Sequence, residues 1–119
     1  MAINKKYIYG IGAILIISIF IASQYFARER GKKYFKEFDK AKIDAVLMID
    51  AYIFDKGSGI KLTDGSEYVF YPHTNKKLNQ NKIFYQAAKK EDRIFKDSYS
   101  DTLYLYKKNT ILKYTFTKF

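Results

Sequence analysis

A chain of 119 residues has room for one small domain and little else. It contains no cysteine, which excludes disulfides, thiolate metal sites and a lipid-modified cysteine. Its 22 basic residues against 12 acidic ones give a formal net charge of +10, a balance that favours anionic neighbours such as lipid headgroups, nucleic acid or envelope polymers.

After a basic N-terminal tail (residues 1–6, with Lys5 and Lys6), the segment Tyr7 to Ala27 reads YIYGIGAILIISIFIASQYFA and carries no charge. About twenty such residues, rising ~1.5 Å each in a helix, cross a hydrocarbon core of ~30 Å. Tyr7, Tyr9, Tyr25 and Phe26 stand at its ends, where amphipathic rings favour the headgroup level. A buried core helix would show a polar stripe, and this run has none. It is long for the apolar part of a cleaved signal peptide, and no small-x-small cleavage site follows. The expectation is a single transmembrane helix or uncleaved signal anchor in the inner (cytoplasmic) membrane.

All 12 acids and 20 of the basic residues lie beyond Ala27, leaving that part with a formal +8. Arg28, Arg30, Lys32, Lys33 and Lys36 follow the run closely and outnumber Lys5 and Lys6, so the positive-inside tendency places the C-terminal part in the cytoplasm. A basic start ahead of an apolar run is, against that, the usual look of an export signal. Residues 28–42 form a basic juxtamembrane linker in which Tyr34, Phe35 and Phe38 fall at helical spacing. The linker is expected either to lie along anionic headgroups, contacted by those five basic residues, or to be a solvated helix.

From Ile43 the period changes to two. Ile43, Ala45, Leu47, Ile49, Ala51 and Ile53 share one parity, which predicts a long strand with one buried face. Lys56 to Gly59 (KGSG) supplies a turn, and Ile60 to Thr63 a second strand. Asp64-Gly65 suits a two-residue type I′ turn, and Glu67 to Tyr71 returns as a third strand ended by Pro72. HTNKKLNQN reads as a polar loop, and Lys82 to Asp92 as one short helix. Two closing strands alternate around Leu103 and Leu105, then Leu112, Tyr114 and Phe116, joined by Lys107 to Asn109, with a short strand Arg93 to Lys96 ahead of them. The predicted fold class is an N-terminal transmembrane helix followed by a small mainly-β domain over residues 43–119. Within that domain the order β-β-β-α-β-β predicts an OB-like five-stranded antiparallel barrel, with an SH3-like barrel as the alternative.

The densest polar stretch, DRIFKDSYSDTLYLY (Asp92 to Tyr106), tempts an assignment of chemistry. A serine nucleophile needs a base within hydrogen-bond reach and an oxyanion hole, usually on a glycine turn. Ser98 and Ser100 have no adjacent glycine, and the single histidine, His73, is some 25 residues away in sequence. Asp and Ser are also ordinary turn residues, so the stretch reads as architecture. His73 has no ligand cluster around it, and Asp44 and Asp50 stand about 20 Å apart along a strand, too far for a carboxylate pair. GSG lacks the helix start and lysine-serine of a phosphate loop. No catalytic residue, metal or cofactor is expected. The aromatics carry the sharper alternative: Tyr68, Phe70, Tyr104 and Tyr106, with Arg93 and Lys96, are candidate polyanion contacts, because OB-type surfaces stack bases on such rings. Tyrosines on strands equally well fill a small core.

The segments KGSGIKLTDGSEYVFYP (Lys56 to Pro72) and EDRIFKDSYSDTLYLY (Glu91 to Tyr106), with the hairpin that follows, resemble small single-pass bacterial proteins with a C-terminal β domain. Those proteins have Gly-Asp-Ser-Ile where this chain has Glu91-Asp92-Arg93-Ile94. The resemblance covers about half the chain and implies no activity, so no functional residue is carried over from it. The functional expectation is a membrane-anchored, non-enzymatic interaction or structural module of the bacterial envelope, its partners the lipid bilayer and anionic headgroups or another membrane protein. The alternative is a membrane-tethered binder of single-stranded nucleic acid or another polyanion.

Overall fold

The computed structural model describes residues 5–119, with side chains from residue 7 onward. The first four residues of the basic tail therefore lie outside the described residues. The chain divides into two compact units, one up to Arg30 and one from Gly31 to Phe119. The first is the greater part of helix α1 (Lys5–Lys40). Proline, which would break it, occurs only at position 72. From Tyr7 to Phe26 its large apolar side chains are exposed all round, and it is long and apolar enough to cross a membrane. Ser18 donates its hydroxyl to the Ile14 carbonyl at 2.9 Å, which satisfies that polar group without water.

The second unit holds seven strands in two antiparallel sheets. Strands β1 (Ile43–Val46), β5 (Arg93–Lys96), β6 (Thr102–Lys107) and β7 (Thr110–Thr115) form one, in the order β1-β5-β6-β7. Strands β2 (Tyr52–Phe54), β3 (Gly57–Lys61) and β4 (Glu67–Phe70) form the other. The sheets meet at two corners. Leu47 bridges Leu62 with flanking bonds Met48 N–H to Lys61 O and Thr63 N–H to Val46 O (2.9 Å each). Pro72 bridges Phe116, and His73 N–H reaches Thr115 O at 2.8 Å. The strand ladders do not close, so the five-stranded barrel of the sequence reading is replaced by two sheets joined by single bridges.

The long strand expected over 43–53 is two strands in different sheets. Ile43 and Leu47 face the core as the alternation requires, but the chain bends after Leu47, leaving Ile49 and Ile53 exposed. Leu47 is held at the bend from both sides, its N–H on Asp92 O and its carbonyl taking the Glu91 N–H. The type I′ turn sits elsewhere than expected. Asp55 and Lys56 both have positive φ (46° and 65°) between paired Phe54 and Gly57, so Gly57–Gly59 is strand, not turn. At Asp64-Gly65 only Gly65 is left-handed (φ 90°). The Gly65 N–H to Leu62 O and Leu62 N–H to Ser66 O bonds make a three-residue loop. The Asp64 carboxylate accepts the Ser66 N–H and hydroxyl, which draws its pKa below the usual range.

The predicted helix 82–92 is a single turn, α3 (Phe84–Ala87), stopped where Ala88 turns extended. The predicted polar loop contains another turn, α2 (Lys76–Asn79), capped by the Asn75 carboxamide on the Lys77 and Leu78 N–H groups. Over residues 28–42, α1 continues to Lys40, and Phe38 is 0% exposed rather than solvated. Its ring stacks on Phe70 (4.6 Å between centroids) and meets Phe116 edge-on (4.9 Å) in a core shared with Ile60, Leu105 and Leu112.

Candidate functional site

The four-stranded sheet has two faces of opposite character, set by the period-2 alternation of its strands. Its inner face presents Ile94, Leu103, Leu105, Leu112 and Tyr114 to the core. Its outer face gathers what the alternation turns away: Asp44 and Val46 on β1, Arg93 and Phe95 on β5, Tyr104 and Tyr106 on β6, Ile111 and Lys113 on β7. Three rings run across its centre. Phe95 lies opposite Tyr104 with centroids 6.2 Å apart, and Tyr104 and Tyr106, two residues apart on one strand, stack at 6.5 Å. Each tyrosine carries a cation from its cross-strand partner: Arg93 over Tyr106 at 5.6 Å, Lys113 over Tyr104 at 5.8 Å. Arg93 Nε and Nη2 also donate to Asp44 Oδ1 at 2.9 and 2.7 Å. That pair is half exposed and contributes at most about 1 kcal/mol, but it fixes the guanidinium plane beside the ring.

Of the residues nominated from sequence as polyanion contacts, the fold brings Arg93, Tyr104 and Tyr106 together on this face. It removes two. Phe70 is 1% exposed and belongs to the core, because its parity on β4 points inward. Lys96 is 0% exposed: it shares the inner parity of Ile94, and its ammonium donates to the carbonyls of Asp39 (2.9 Å), Ala41 (3.1 Å) and Asp97 (3.0 Å). Burial pushes its pKa down, against the opposing fields of Asp39 and Asp97. It is the C-terminal cap of α1, a cation on orphan carbonyls at the negative end of the helix. Tyr68 is half-buried on the other sheet, edge-on to Phe38 at 6.2 Å. Tyr114 is fully buried, donates to Lys82 O at 2.8 Å, and has its pKa pushed up to about 12 by burial. Phe95 and Lys113 were missed. The signal for them was their odd-even placement opposite Tyr104, which needs strand register to read.

No known protein family, curated protein or solved structure matches this chain. Its function is therefore argued from geometry alone. The stretch Asp92 to Tyr106 resolves into β5, a turn and β6. Asp92 pairs with Lys107 at 2.5 Å, and Ser100 closes a local bond to the Thr102 carbonyl. The His73 ring nitrogens meet Thr115 Oγ1 at 3.2 Å and Thr117 Oγ1 at 3.1 Å, tying the loop to β7 and its continuation. Among the described residues, no group of three or more His, Asp or Glu is placed to hold a metal ion. Of the headgroup candidates, Arg28, Arg30, Lys32, Lys33 and Lys36 are all exposed on α1.

A second surface is more concave. Lys32, Lys36 and Lys40 line an open groove of about 400 Å³ with Phe35, Asp39, Tyr99 and Phe119. Phe119 packs against Gly31, where a Cβ would fall 2.8 Å from the ring, and lies 6.4 Å from Phe35. Tyr99 holds a left-handed φ of 60°, its N–H bonded to the Asp39 carbonyl at 2.6 Å, and its side chain is 72% exposed.

Proposed function

We propose that this chain is a membrane-anchored interaction module of the bacterial envelope, whose β domain meets its partner through the outer face of the four-stranded sheet. The observation that carries this is the row Phe95, Tyr104 and Tyr106, half-buried on the outer face and flanked by Val46 and Ile111, the latter 51% exposed. Large rings with one apolar body and one polar tip are the residues that dominate interface energetics. The uncharged run Tyr7 to Ala27 supports an inner-membrane anchor, and the basic count after it supports a cytoplasmic domain. The two bridged corners support describing the domain as an incompletely closed barrel.

The test is photocrosslinking in intact membranes. A photoreactive residue at Ile111 should give a discrete adduct, and the same residue at Gln86, exposed on α3, should not. No adduct from Ile111, Tyr104 or Val46 would remove the proposal.

One observation favours a polyanion as the partner: each tyrosine of the row is paired with a cation, the arrangement that stacks bases and neutralises phosphates. Under this reading the full chain in neutral detergent binds a single-stranded oligonucleotide with a steep salt dependence. Tyr104→Ala should weaken binding by about 1–3 kcal/mol. Absence of binding at low salt would eliminate it.

A further inference from the structure

We infer that the groove between the C-terminal turns of α1 and the chain terminus is a binding site for an anionic phospholipid. Lys32, Lys36 and Lys40 recur every four residues, so they stand in one row along the helix and form a cationic rim. Asp39 is the one acidic side chain among the lining residues, against three lysines. The remaining lining is aromatic: Phe35 and Phe119 lie 6.4 Å apart, and Tyr99 is tied to Asp39. Cations beside an apolar trough match a phosphodiester joined to acyl chains, and neither a free phosphate nor a purely apolar ligand uses both halves.

Two details argue that this surface is built for an occupant. Left-handed φ is costly for a residue with a large side chain, and here it holds an exposed ring at the groove, fixed by the 2.6 Å bond to Asp39. The Phe119 ring packs on the bare backbone of Gly31, where a Cβ would fall 2.8 Å from it and make it shift. Lys32 is five residues past Ala27, so the chain holds it within about 18 Å of the end of the apolar run whatever the path between them. A bilayer lipid is thus the amphiphile within reach. The inference rests on the apolar run being membrane-inserted.

The chain has no tryptophan, so Phe119→Trp installs a single reporter in the groove. The full-length protein in phosphatidylcholine nanodiscs would be titrated with phosphatidylglycerol or with phosphatidylcholine, each brominated on its acyl chains. Half-maximal quenching should need about fivefold less of the anionic lipid, the equivalent of one lysine's headgroup attraction. Lys36→Gln with Lys40→Gln should abolish that preference, and Lys36→Gln alone should reduce it. Lys77→Gln with Lys82→Gln, the same loss of charge elsewhere, should leave it intact. Equal quenching by the two lipids, or a preference that survives the groove substitutions, overturns the inference. A separate chain with Phe20→Trp reports on the anchor. If it is quenched and Phe119→Trp is not, the groove inference alone fails. If Phe20→Trp is unquenched, the membrane assignment fails with it.

Discussion

Lys96 is the residue whose role depends most on its surroundings. A lysine in the sequence RIFK reads as a surface cation, yet its three carbonyl partners and the Phe38 ring, 5.0 Å from the ammonium, make it the tie between α1 and β5. Lys96→Met keeps the stem and strands those carbonyls, and should destabilise the domain by about 2–4 kcal/mol in urea unfolding. Tyr114 shows its chemistry through pH. Its folded pKa, near 12, lies above the ordinary 10.0, so the folded state holds the proton more tightly. The corresponding stability is fully present below pH 10 and is lost as pH rises toward 12. Tyr52, raised to about 12 by burial and by its hydrogen bond to Glu67, adds to the same alkaline loss. Tyr114→Phe should therefore flatten the fall of stability between pH 10 and 12, at a cost near 1 kcal/mol at pH 7 for the orphaned Lys82 carbonyl.

Among the elements, the β2–β3 hairpin carries the clearest local conflict. Its type I′ turn is made by Asp55, which tolerates left-handed φ, and Lys56, for which it is unfavourable. Lys56→Gly should stabilise the domain by about 0.5–1 kcal/mol in the same urea titration. The glycines of β3 answer to close approach rather than to φ. A Cβ at Gly59 would fall 2.2 Å from the Tyr52 ring, which can swing aside; one at Gly57 would fall 2.7 Å from the Phe70 carbonyl oxygen, which cannot. Gly57→Ala should therefore cost more than Gly59→Ala. Gly59→Ala should instead lower the Tyr52 pKa by breaking the Glu67 bond, visible as an earlier phenolate absorbance in alkaline titration.

At the scale of the whole molecule, the β domain begins earlier than its strands do. Phe38 sits among Phe70, Phe116 and Tyr68, and Lys96 caps the helix that carries it. A fragment 31–119 should unfold cooperatively. A fragment 43–119 lacks the Phe38 ring and two of the three Lys96 acceptors, and should show no cooperative transition by circular dichroism. The loss of one buried aromatic alone costs about 3–5 kcal/mol, a large part of the stability of a domain this small.

Features that depend on local pattern are legible in the chain alone. An uncharged run of Tyr7 to Ala27 is readable without a structure because length and hydropathy are properties of the segment. The strands around Leu103 and Leu112 are readable because their alternation is unbroken over six residues each. Within the candidate site, Tyr104 and Tyr106 were legible as residues alternating with Leu103 and Leu105, and Arg93 as part of a short strand ahead of them. The remaining features depend on contacts between distant segments. The break after Leu47 comes from hydrogen bonds to Glu91, Asp92, Lys61 and Thr63, more than ten residues away, and no period within the segment reports them. Phe95 joined the ring row, and Lys96 left it, through the register of β5 on β6. Register is a relation between two segments, and a one-residue change in it exchanges every inward side chain for an outward one.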